Sequence, residues 1–105
     1  MRTQGLEERF ITGDAGDYEK FEAWAAVVPY TVRNPLYHWT HMELKNPFGI
    51  TGQVLNAETA RDIYDTCSAM LQREDFRARS LMKRRNVKIV CTTDDPVDNL
   101  EYHRQ

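Results

Sequence analysis

The sequence predicts a mostly α-helical chain that closes on a single β-α unit, and three observations carry that expectation. Apolar residues recur at steps of three and four in four separate segments. Proline and glycine punctuate the gaps between them. One short β-branched apolar run, Val87, Ile89, Val90 and Cys91, stands near the end, bounded by Asn86 and Pro96. Such a run has the pattern of a strand covered on both faces in a parallel sheet, and no second run exists to pair with it. The chain therefore reads as an excerpt of a larger α/β enzyme whose remaining strands lie outside these residues.

The first helix is expected from Tyr18 to Val28. Tyr18, Phe21, Trp24, Ala25 and Val28 share one face, while Glu19, Lys20 and Glu22 point away from it. The loop before it, residues 12–17, offers Asp14 or Asp17 as its N-cap, and Pro29 stops it. Asn34-Pro35 starts a second helix, with Asn34 as cap and Pro35 in the first helical position, where its missing N–H costs nothing. That helix should end near Lys45, before Pro47.

A loop carrying Gly49 and Gly52 leads to the third helix, expected over 56–72. Asn56 caps it, Leu55 can staple against Ala60, and Ala60, Ile63, Tyr64, Cys67, Met70 and Leu71 form its apolar stripe. A fourth helix is expected over 75–85, with Phe76, Leu81 and Met82 beside the basic set Arg77, Arg79, Lys83, Arg84 and Arg85. It feeds the strand at 87–93, after which Asp98 and Glu101 resemble a capping box opening a further helix. The expected core is Phe21, Trp24, Leu36, Trp39, Ile63, Tyr64, Met70 and Leu81.

Composition narrows the class of protein. A chain of 105 residues supports one modest core and is too short for a closed eight-stranded barrel, which needs roughly 200 residues. Fourteen basic and 16 acidic residues give a formal charge of -2, with no broad basic field for nucleic acid. No apolar run approaches the roughly 18 residues needed to cross a bilayer. Two cysteines without metal-site spacing fit a reducing cytoplasm.

Chemistry-bearing residues are few. His38 and His41 are three apart and share a helical face, with Glu43 and Glu58 as conceivable oxygen ligands. Two histidines do not make a metal site, and the competing reading has His38 within a Tyr37-Trp39 aromatic patch and His41 orienting a neighbouring loop; a substrate contact is the third possibility. Asp94 and Asp95 lie at the carboxyl end of the expected strand, where α/β barrels gather their catalytic groups. Adjacent side chains alternate direction, so at most one faces a pocket while the other fixes the loop before Pro96. Thr92 and Thr93 read as strand and turn residues rather than nucleophiles. Arg33 can make bidentate contacts to a carboxylate or simply hold the helix entrance. The basic cluster from Arg77 to Arg85 is a charged helical face or, alternatively, an anion-binding or interdomain surface.

Several ordered words in the chain are similar to one family. They are Phe10 to Ala15 (FITGDA), Glu19 to Ala25 (EKFEAWA), Arg33 to His41 (RNPLYHWTH), Leu55 to Ala60 (LNAETA) and Asn86 to Pro96 (NVKIVCTTDDP), with Asn99 to His103 after them. Together they resemble the uronate isomerase (glucuronate isomerase) family, over nearly the whole chain. That resemblance implies an amidohydrolase-like (β/α)8 TIM barrel interconverting D-glucuronate with D-fructuronate and D-galacturonate with D-tagaturonate. It also implies a divalent metal, usually zinc, on a His-x-His pair after the first barrel strand and on an Asp late in the barrel.

This chain has no His-x-His. The resemblance thus implies an internal fragment: residues 1–86 as a helical insertion between the first and second strands, and 87–105 as the second strand and the start of its helix. Alone, such a fragment should lack isomerase activity and hold no metal, its partners being the rest of the barrel and the hexuronate. Asp94, Asp95, Arg33, His38 and His41 are the candidates for pocket contacts. The alternatives are a stand-alone helical module binding a protein or metal through His38 and His41, and a dimer that completes a sheet through two copies of the strand.

Overall fold

Four α-helices joined by 3-10 turns and loops make up the computed structural model, which describes residues 1–97, 99 and 101. They are α1 (Asp17–Val27), α2 (Pro35–Lys45), α3 (Ala60–Leu71) and α4 (Ala78–Arg84). Among the described residues no helix is long and apolar enough to cross a membrane.

Gly16, not an aspartate, occupies the N-cap of α1. Its backbone N–H donates to Glu19 Oε2 at 2.8 Å, half of a capping box, while Asp17 becomes the first helical residue and lends its charge to the positive end of the helix dipole. The apolar stripe behaves as its spacing predicts: Ala25 and Val28 are fully buried, with Phe21 and Trp24 packed beside them. Tyr18 meets Tyr64 of α3 edge-on at 5.2 Å, and Phe21 meets it at 5.3 Å, so two aromatic pairs lock α1 to α3. Pro29 ends the α-geometry by removing a donor, and the chain tightens into a 3-10 turn over Val28–Thr31.

Asn34 caps α2 as expected, its Oδ1 accepting from the Leu36 N–H at 3.0 Å with Pro35 next in line. The helix inserts Leu44 into the core and ends at Lys45. Gly49, at φ +76, then turns the chain back so that the Ile50 N–H bonds to the Leu44 carbonyl and Ile50 packs on the core.

α3 begins four residues later than its sequence pattern suggests. Asn56 Oδ1 accepts from the N–H groups of both Glu58 and Thr59 at 2.9 Å, and the Thr59 hydroxyl donates to the Val54 carbonyl. These bonds hold residues 56–59 in a turn, because short polar side chains compete with the helical ladder for the same donors. Leu55 and Ala60 still join one buried cluster on either side of it.

The continuous helix expected over 75–85 is broken at Arg77, whose backbone is extended (φ -66, ψ 153). A 3-10 turn over Glu74–Phe76 precedes the break. Phe76 is turned inward to stack on Phe48 at 5.6 Å, and Asp75 is held by Arg73 from before the turn and Arg84 from α4. Burying Phe76 outweighs the hydrogen bonds an unbroken helix would keep.

Two expectations fail outright. Residues 87–95 carry no regular secondary structure, so the predicted strand is not formed among the described residues; Ile89 is 81% exposed and Val90 59%. A strand is stabilised by the ladder to its neighbour, and no described residue supplies one. Leu36 and Trp39, expected in the core, face outward. The core is instead Ala25, Val28, Leu44, Leu55, Ala60 and Ile63, with Tyr37, Ile50 and Cys67 against it. The helix start at Asp98 lies outside the described residues, although Asn99 Oδ1 accepts from the Glu101 N–H.

Candidate functional site

Each of the sequence-derived candidates sits either on α2 and its entrance or in the terminal segment. On α2, Tyr37, His41 and Leu44 lie on the side that meets the core. His41 spans two elements: Leu55 N–H donates to its Nε2 at 3.0 Å, and its Nδ1 lies 2.7 Å from the Tyr37 carbonyl. An amide N–H can only donate, so Nε2 is the unprotonated nitrogen. The proton therefore sits on Nδ1 and is donated to Tyr37, which makes this ring a neutral strut between α2 and the loop before α3. Neither nitrogen has a lone pair left for a metal.

His38 is exposed and lies edge-on to the Tyr37 ring at 5.8 Å. The two histidines thus share a tyrosine, not a ligand. Among the described residues no three of His, Cys, Asp and Glu gather closely enough to hold a metal ion. Among the described residues no set of side chains converges as the divalent cation implied by the resemblance would require, and no chemical step is assigned to such an ion here.

Arg33 is exposed just before the Asn34 cap. In the terminal segment Thr92 Oγ1 donates to Asp94 Oδ2 at 2.5 Å, and the Val97 N–H donates to Asp95 Oδ1 at 3.0 Å, across Pro96. Asp95 thereby takes the turn-fixing part that one of the two aspartates was expected to play.

A shallow groove of about 350 Å³ opens beside His41, lined by Tyr37, Lys45, Ile50, Thr51, Gln53 and Val54. Lys45, Thr51 and Gln53 have no distinguishing motif. Their only signal is the glycine-bearing loop that folds back over α2. Two members of the basic cluster form local pairs, Arg77 with Glu74 at 2.5 Å and Arg84 with Asp75 at 2.9 Å. For Asp75, burial alone would push the carboxyl up, but the hydrogen bond from Arg73 and the charges of Arg73 and Arg84 outweigh it and hold it below its ordinary value. Burial pushes the partly buried Cys67 thiol up, away from the reactive thiolate.

Comparison with known proteins places this geometry in context. A family model described as glucuronate isomerase matches residues 1–105. The chain is 62% identical over 104 residues to a uronate isomerase of Pectobacterium carotovorum subsp. carotovorum, and 61% identical to one of Serratia proteamaculans. Each match takes in 99% of this chain and 22% of the relative, so the chain spans about a fifth of the length of the curated relatives it matches. The crystal structure of a uronate isomerase from Thermotoga maritima superposes with a TM-score of 0.88 at 40% identity, over 98% of this chain and 22% of that one.

Proposed function

Because the chain belongs to the glucuronate isomerase family, we propose that it is the helical part of a uronate isomerase, and that the complete enzyme interconverts an aldose uronate with its keto isomer. The observation that carries this reading is the 62% identity maintained over 99% of the chain, which is only 22% of the relative's length. Residues 1–86 are the helical insertion of a (β/α)8 barrel. Residues 87–93 become its second strand once neighbouring strands supply the ladder, which accounts for a β-branched run left bare and irregular here.

The chemistry is proton transfer between adjacent carbons. It needs a base to remove the proton beside the carbonyl, an acid to return it, and an electrophile that stabilises the enediolate. The metal is held by residues of the complete enzyme outside this chain, which has no His-x-His. This chain walls the cleft and contributes polar contacts to the hexuronate from Asp94, Arg33 or His38, in the cytoplasm. The alternative of a stand-alone metal-binding helical module loses its central residue, since both nitrogens of His41 are already engaged.

The test is a graft. This chain, put in place of the matching 104 residues of the Pectobacterium carotovorum enzyme, should sustain conversion of D-glucuronate to D-fructuronate. The isolated 105 residues with added zinc should give no turnover above buffer. Turnover by the isolated chain, or a folded graft without activity, refutes the proposal.

A further inference from the structure

α2 has two faces of unequal fate. Tyr37, His41 and Leu44 pack inward, while Leu36, Trp39 and Met42 are 42%, 57% and 62% exposed. At 3.6 residues per turn these three fall within a sector of about 120° that also holds Pro35 and a single charge, Glu43. Scattered exposed apolar residues are ordinary, but a stripe two turns long with a tryptophan at its centre is not. No described residue accepts a hydrogen bond from the Trp39 indole.

We propose that this face is an internal interface of the complete uronate isomerase, covered by the part of the same polypeptide that lies outside these 105 residues. The inference rests on the function proposed above. Its occupant follows from two observations. First, the segment keeps its own fold inside a much longer chain: it matches the Thermotoga maritima enzyme with a TM-score of 0.88 while spanning 22% of it. The side that α2 turns outward here is therefore the side it turns toward its surroundings there. Second, the stripe is too small for a separate molecule. Its three side chains expose on the order of 300 Å², against the roughly 600 Å² per partner at the lower end of stable complexes. Between parts of one chain the entropy of association is already met by the covalent link, so a patch of that size suffices. The covering surface should be apolar, with one hydrogen-bond acceptor for the Trp39 indole N–H.

Residue-resolved hydroxyl-radical footprinting of the free chain and of the graft tests this. Trp39 and Met42 should oxidise at least tenfold more slowly in the graft, while the free chain sediments as a monomer. Equal rates in the two overturn the proposal, as does protection already present in a free chain of doubled mass, which would make a second copy the occupant. Should the graft not fold, the same peptide in the unmodified Pectobacterium carotovorum enzyme must be protected relative to the free chain, and its free oxidation is equally fatal. A graft that shields Trp39 but is inactive would sink the proposed function and leave this interface standing.

Discussion

Removing the imidazole of His41 strands two backbone groups at once, the Leu55 N–H and the Tyr37 carbonyl. His41→Ala should cost about 1–3 kcal/mol, and His41→Gln should recover part of it through an amide oxygen that can accept from Leu55. At about 4–8 °C per kcal/mol for a domain of this size, thermal unfolding resolves the difference. Acid acts on another residue. Hydrogen bonds from Arg2 and then Thr12 hold the Glu8 carboxyl at about 2, below its ordinary 4.5. A depressed carboxylate contributes stability that is fully present above about pH 4.5 and lost as pH falls toward about 2. The urea midpoint should drop over that window and drop less in Glu8→Gln; an identical profile in the variant would show that the pair contributes nothing. On the proposed reading that Asp94 contacts the hexuronate while Asp95 fixes a turn, Asp94→Asn in the active graft should lower kcat/KM at least tenfold while Asp95→Asn stays within about threefold.

Element ends are set by a few local backbone hydrogen bonds, and the end of α4 shows how. Asn86 is left-handed (φ 54) and closes α4: its N–H bonds to the Lys83 carbonyl and the Val87 N–H to that of Met82, a Schellman pair. Asn86→Gly should be neutral or stabilising by up to about 1 kcal/mol, whereas Asn86→Val should cost about 1–2 kcal/mol and fray a helix of only seven residues. Far-ultraviolet circular dichroism on warming separates the two. The break at Arg77 teaches the converse. Nothing in residues 75–85 forbids a helix; the break coincides with the docking of Phe76 on Phe48 and with the bonds that Arg73 and Arg84 make to Asp75.

At the scale of the molecule, the core is thin. Two of its six buried members among the described residues are alanines, and the Cα radius of gyration is 17.0 Å, against about 13 Å for a compact domain of this length. Ile63 is one of the larger fully buried side chains. Ile63→Ala should remove about 2–5 kcal/mol, a large share of what such a core supplies. The isolated variant should lose its cooperative melting transition while the same change in the graft lowers melting only modestly. Equal loss in both would mean that the surrounding enzyme adds no stability to this segment.

Legibility followed the range of the interaction. Helix existence, the apolar face of α1, the Ala60, Ile63 and Cys67 part of the α3 stripe, the Asn34 cap and the Pro29 stop are settled by residues within a turn or two of each other, so periodicity and capping chemistry alone determined them, as the ordered motif words determined the family; Leu71 left that stripe for the surface. Which nitrogen of His41 holds the proton, why α3 waits until Ala60, why Trp39 faces outward and why residues 87–93 form no strand were decided only by tertiary structure. A tautomer, an outward face and a strand are each defined by a partner distant in sequence or beyond these residues, and local pattern carries no information about such a partner.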